Sequence, residues 1–218
     1  MEIMSKYLLR QRWNTIILFI VFYAVGVGGI WIPLTQRFFI ILIPFALLLS
    51  SVAILLFHKS LKSANTRFVF FSIILVSFFV EVAGVNSQLI FGKYMYGHGL
   101  GFKLFDTPLM IGIFWAMLIY CSSSILERSR LPVALQVVLA SVLVVLYDVV
   151  LEHVASFLDM WYWNDNNVPV QNYVVWFVLA LIFHTMVKWK KVKTENPLAT
   201  AIFICQFLFF AAILVFIK

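Results

Sequence analysis

Charged side chains are scarce in this chain. Asp, Glu, Lys and Arg make up 11% of its 218 residues, against 64% that are hydrophobic. No soluble domain of this size could hide so much apolar surface, so the surrounding solvent must be lipid. Histidine is scarce too. His58, His98, His153 and His184 are scattered, and none stands at metal-ligand spacing from another. That excludes the clustered-histidine di-iron hydroxylases and desaturases, and no metal is expected. The two cysteines, Cys121 and Cys205, both fall in apolar runs, so they are expected to be packing residues rather than a disulfide. Phosphate-binding glycine loops and dinucleotide fingerprints are absent, and no cofactor is expected. The last apolar run contains no lysine, which excludes the Schiff-base attachment of a seven-helix retinal protein. No cleavable signal-peptide pattern is present.

What the sequence does have is long, continuous apolar runs. In hydrocarbon only helices and closed barrels satisfy their backbone polar groups, and unbroken runs argue for helices. The expected fold is all-α: a polytopic membrane bundle of about seven spans in a single domain over residues 1–218. The spans fall near Trp13–Ile32, Phe38–Phe57, Arg67–Phe91, Thr107–Ile125, Pro132–Ala155, Asn172–Lys188 and Leu198–Ile217. Pro44 lies inside the second span and should kink it. Loop by loop, twelve Lys and Arg fall on one side: Lys6, Arg10, Arg12, Lys59, Lys62, Arg67, Arg128, Arg130, Lys188, Lys190, Lys191 and Lys193. Four fall on the other: Arg37, Lys93, Lys103 and Lys218. This bias predicts a cytoplasmic N-terminus and an outer C-terminus in the cytoplasmic membrane. It also explains the net charge of +7 by topology, so no nucleic-acid partner is expected.

Three carboxyls fall within spans, where an ionisable group is costly and usually functional. Glu81 lies about 21 Å along its helix from Arg67, and Asp148 about 24 Å along its own from Pro132, so they reach a similar depth. Asp148 and Glu152 are four residues apart and share a helical face. Three carboxyls at one depth in a dry site cannot all be ionised, so at least one should remain a protonated acid at neutral pH. Asn86, Gln88, Gln171 and Asn172 add neutral polar groups on the same side. Tyr94, Tyr96, Trp161, Tyr162 and Trp163 crowd there as well, a pattern an interfacial aromatic belt also produces. His153, beside Glu152, reads as a local hydrogen-bonding partner. A weak repeat relates spans three–four to five–six. Glu81 precedes Tyr94-Met95-Tyr96 by thirteen residues, as Asp148 precedes Trp161-Tyr162-Trp163; Pro108 precedes Trp115 by seven, as Pro169 precedes Trp176. Such parallel units often place a site between them.

These residues carry a resemblance. Glu81-Val-Ala-Gly84-Val-Asn86, Ile90-Phe-Gly92-Lys-Tyr94-Met-Tyr96, Asp106-Thr-Pro108-Leu and Trp115 are similar to the first motif block of the carotenoid biosynthesis membrane proteins. That group includes the bisanhydrobacterioruberin hydratases and γ-carotene 1′-hydratases. Tyr147-Asp148-Val-Val-Leu-Glu152, Trp161-Tyr-Trp163, Val168-Pro169, Asn172-Tyr173 and Trp176 resemble the second block. The likeness runs over about 75–180; the first two spans and the last match by length only. His153 stands where the family commonly has proline, and Val175 where it often has glycine; neither departure removes a carboxyl.

The resemblance implies a hydro-lyase that adds water to the terminal C1′=C2′ bond of an acyclic carotenoid end, as in lycopene or γ-carotene. It implies no cofactor, a lipophilic substrate entering from membrane lipid, and association with other carotenoid enzymes. Asp148 and Glu152 would supply acid and base, with Glu81 tuning or replacing one of them. Tyr94, Tyr96, Asp106, Trp115, Trp161, Trp163, Asn172 and Trp176 would bind substrate, the ring faces stabilising a cation. A cavity long enough for a polyene is expected beside the carboxyls. End-group cyclisation or isomerisation begins with the same protonation. A proton-coupled carrier would instead need polar paths to both faces, whereas the inner halves of the spans look almost wholly apolar.

Overall fold

The computed structural model describes residues 2–58, 63–165 and 167–217, with side chains from residue 11 onward. Lys59, Lys62 and Lys218, and the side chains of Glu2, Lys6 and Arg10, lie outside the described residues; so does that part of the charge asymmetry.

The chain is an all-α polytopic membrane protein. Its helices are α1 (Glu2–Trp31), α2 (Pro33–Ile41), α3 (Ile43–Leu56), α4 (Ala64–Ser87), α5 (Met110–Leu126), α6 (Val133–Ala155), α7 (Val170–Trp189) and α8 (Pro197–Phe216). In α1, α4, α6, α7 and α8 the apolar run is long enough to cross a bilayer. The pair α2–α3, bent by 52°, is together long and apolar enough to be a sixth. The bend falls at Leu42, two residues before Pro44, whose ring cannot sit against the preceding turn of a straight helix. The expected fourth span, α5, is a shorter apolar helix of 17 residues, about 25 Å long against the roughly 30 Å of a hydrocarbon layer. It is buried almost throughout, from Ile111 to Ser124, with α3, α4, α6 and α8 packed around it. Gly112 allows part of this: a Cβ there would lie 2.6 Å from the Ile74 carbonyl of α4.

Two spans end differently from expectation. The third stops at Ser87 rather than Phe91, because Gln88 turns left-handed (φ 58°) and donates its N–H to the Gly84 carbonyl. The fourth starts at Met110, because Thr107–Pro108 forms strand β3, antiparallel to β2 (Lys103–Leu104). Phe105 and Asp106 form the two-residue turn between them, both at positive φ.

The Tyr94–Tyr96 and Trp161–Trp163 segments are strands, β1 and β4, paired antiparallel with Tyr94 opposite Trp163, Met95 opposite Tyr162 and Tyr96 opposite Trp161. The two members of the sequence repeat therefore meet. Each unit is helix, strand, helix: α4–β1–α5 and α6–β4–α7. Equivalent strands pairing antiparallel about their central residues is what a two-fold axis along the bundle produces.

This two-stranded cap is held by backbone contact. Gly97 and Gly99 donate to the carbonyls of Met160 and Asp159. A Cβ on Gly97 would stand 2.2 Å from the Asp159 carbonyl oxygen, and one on Gly99 2.2 Å from that of Leu158. Backbone cannot yield as a side-chain tip can. Gly97→Ala is expected to destabilise the protein by about 2 kcal/mol or more, read as a lower melting temperature in detergent. A melting temperature equal to wild type would show that the cap does not depend on this approach.

Candidate active site

The cap brings its aromatic residues down onto two of the three carboxyls. Glu81 on α4 accepts three hydrogen bonds. Tyr94 and Tyr96 donate to Oε2 at 2.8 and 2.7 Å, and the Trp115 indole donates to Oε1 at 3.1 Å. Glu152 on α6 also accepts three. The Trp161 and Trp163 indoles both donate to Oε2 at 2.8 Å, and Asn172 donates to Oε1 at 3.1 Å. A carboxylate offers about four acceptor positions. Each glutamate therefore has one open position, on Oε1 in both cases.

The sequence repeat aligns Glu81 with Asp148, but the second unit's indoles reach Glu152, one turn nearer the strand. Asp148 lies behind. It is fully buried, receives one hydrogen bond, from Asn172 to Oδ2 at 3.0 Å, and its Oδ1 has no hydrogen-bond partner. The two N–H bonds of Asn172 thus go to Asp148 and Glu152. Its own Oδ1 accepts no hydrogen bond, and Asn172 is one of the residues that line the pocket.

Glu81 and Glu152 line one pocket, together with Phe91, Tyr94, Tyr96, Ile111, Trp161, Trp163, Asn172 and Trp176. Its free space is about 10 Å³, the least that holds one water molecule. The two repeat-related tryptophans stack against each other beneath it, Trp115 on Trp176, with ring centroids 4.2 Å apart. Gly84, three residues after Glu81, lets Phe91 and Tyr94 fold back over the carboxyl: a Cβ there would meet the Phe91 ring at 2.4 Å.

Most residues singled out in the sequence converge here: Glu81, Glu152, Tyr94, Tyr96, Trp161, Trp163, Asn172 and Trp176 line the pocket. Trp115 touches Glu81 from behind. Asp148 adjoins the site through Asn172 without lining the pocket. Asp106 does not line it; that residue is exposed in the β2–β3 turn. His153 is exposed, and its Nδ1–H donates to the Val149 carbonyl at 2.7 Å, the local partnership expected of it. Cys121 and Cys205 are free thiols.

Two further expectations fail. No polyene-length cavity adjoins the carboxyls among the described residues. The roomier apolar grooves lie elsewhere, one of about 200 Å³ beside Tyr23, Phe39 and Phe209 and one of about 460 Å³ between α1 and α8. Nor is the far half of the bundle almost wholly apolar. His184 on α7 is buried there between Ser122 on α5, at 2.8 Å from Nε2, and Ser141 on α6, at 3.2 Å from Nδ1. Its Nδ1–H donates to the Ala180 carbonyl at 2.7 Å. Nearer the loops at that end, Lys188 pairs with Glu127 at 2.9 Å. Serines inside apolar runs were the available signal; lying on two helices, with the histidine on a third, they show no pattern until the helices pack. This set does not connect with the carboxyls. Ser141 and Asp148 are two turns apart, about 10 Å, and fully buried Val144 and Ala180, with the Trp115–Trp176 pair, fill the interval.

The sequence family described as carotenoid biosynthesis protein matches residues 38–218. The match reaches beyond the motif core at 75–180 and takes in the second and last spans, which had matched by length only. No curated protein and no solved structure matches the chain. An apolar bundle with buried carboxyls under an aromatic cap suits a lipid-soluble substrate, and with a family match over most of its length this chain belongs to the carotenoid biosynthesis protein family.

Proposed function

We propose that the protein adds water to the terminal C1′=C2′ double bond of an acyclic carotenoid end group by acid catalysis, giving a tertiary 1′-hydroxyl. One observation carries this: Glu81 and Glu152 face a single pocket, each with one acceptor position open and every other position served by aromatic or amide donors. Hydration requires a proton donor for C2′ and an acceptor for the proton that water sheds at C1′. Asp148 and Glu152, clamped by one amide in a dry site, cannot both be ionised, so this pair holds the proton. Glu152 is its member on the pocket and acts as the acid. Glu81, which accepts three hydrogen bonds and shares no donor with a second carboxyl, is the carboxylate that balances the cation and accepts the water's proton. The indole and phenol faces around them favour the cation over its neutral precursor. The end group alone would enter the pocket, displacing ring side chains at its mouth, with the polyene lying in lipid.

Expression in a lycopene-producing host tests this. The expected product is heavier by one water and carries a tertiary hydroxyl. A product of unchanged mass but altered absorption would favour cyclisation or isomerisation, and an unchanged pigment would overturn both. A proton-coupled carrier would need the apolar interval between Asp148 and His184 to conduct, which its packing opposes.

The basic end of the bundle, with the N-terminus, is proposed to face the cytoplasm in the cytoplasmic (inner) membrane. A cysteine replacing Arg130 should then be labelled by impermeant maleimide only from the cytoplasmic side, and one replacing Phe105 only from outside.

A further inference from the structure

We infer that the space between Glu81, Asn172 and Glu152 is a binding site for the attacking water, built at a place where the two repeats differ in polarity. This rests on the hydratase reading and adds to it which residues hold the second substrate. The repeat that equates Pro108 with Pro169 and Trp115 with Trp176 also equates Ile111 with Asn172, each three residues after its proline. Both line the pocket. One wall is therefore apolar, and the other carries an amide whose N–H groups are committed to Asp148 and Glu152. What Asn172 has left is an oxygen acceptor. The pocket's free volume, about 10 Å³, suits one water, and a buried water needs two to four polar partners. Three acceptor positions are available: Asn172 Oδ1, Glu81 Oε1 and, when ionised, Glu152 Oε1.

A water donating one hydrogen to Asn172 and one to Glu81 turns a lone pair away from both, toward the space an end group would enter. Ile111 leaves that side without a competing hydrogen bond. The step balances without an oxidant or reductant. The O–H bond of the Glu152 carboxyl breaks, and its proton forms the C–H bond at C2′ with the alkene π pair. The cation left at C1′ gains a C–O bond from the water lone pair, and the proton released passes to Glu81. The next water to enter bridges the two open Oε1 positions and returns the proton from Glu81 to Glu152.

Two measurements test the site. The first is a crystal structure of the full chain in lipid without substrate: one ordered water bonded to Asn172 Oδ1 and Glu81 Oε1 is expected, and a dry pocket would overturn the inference. The second follows product partition in D₂O. Deuterium entering C2′ reports protonation, and the ratio of alcohol to deuterated alkene reports water capture. Asn172→Leu removes the acceptor, and Ile111→Phe fills the space while leaving every hydrogen bond around the carboxyls in place. Each should lower that ratio at least about tenfold. If Asn172→Leu makes no product of either kind, Ile111→Phe decides. An unchanged ratio in Ile111→Phe would overturn the water site while leaving hydration standing. Absence of alcohol from the wild type would instead overturn the proposed function.

Discussion

Glu152→Gln is expected to cut the yield of hydrated carotenoid on the order of 10³-fold or more. The substitution is nearly isosteric, so the loss would come from chemistry. The amide cannot deliver the proton that C2′ requires. It also fits its surroundings poorly: with its oxygen turned to the Trp161 and Trp163 indoles, its N–H₂ meets the N–H of Asn172. Asp148→Asn should cost much less, because Asp148 does not line the pocket and acts only through Asn172. Pigment yield per folded protein in the lycopene host measures both. A Glu152→Gln variant within tenfold of wild type would move the acid elsewhere, and a larger loss from Asp148→Asn than from Glu152→Gln would reverse the order assigned to the pair.

Glu81→Leu is expected to destabilise the protein by about 3 kcal/mol, because it orphans two phenol O–H groups and an indole N–H. Each buried donor left without an acceptor costs between about 1 and 3 kcal/mol. The lower end applies in a bilayer, where the unfolded reference also finds partners. The cause can be separated from lost packing. Adding Tyr94→Phe and Tyr96→Phe to Glu81→Leu removes two of the three stranded donors, and thermal melts in detergent should show the triple variant more stable than the single. If the triple variant melts lower still, the cap is held by the tyrosine rings and not by their hydrogen bonds to Glu81.

Expected depth put Glu81, Asp148 and Glu152 near one level, because helix rise is fixed and the chain's charge pattern sets where each span begins. That much of the site was legible from spacing. The repeat was legible too, but not its consequence. Nothing in Tyr-Met-Tyr and Trp-Tyr-Trp alone distinguishes an interfacial belt from two strands pairing with each other, since three-residue strands carry no usable period. Nor could spacing tell Asp148 from Glu152: both lie on one helical face, and which receives the indoles depends on how far β4 folds back, a matter of four residues. His184 with Ser122 and Ser141 was invisible for a related reason, being three unremarkable polar residues until α5, α6 and α7 pack side by side.

Composition alone determined that the chain spans a membrane as a helical bundle, because hydrocarbon tolerates no unsatisfied backbone and the apolar runs are long enough to cross it. Sequence order alone placed carboxyls inside those runs. Tertiary structure decided the rest. It closed the two aromatic segments into one cap, set Glu81 and Glu152 on a common pocket with Asp148 behind, turned Asp106 out to the surface, and shrank the expected cavity to the size of a water. These outcomes depend on how the two helical units meet about their axis. That meeting is governed by shape and by close backbone approach at Gly97 and Gly99, which hydropathy does not record.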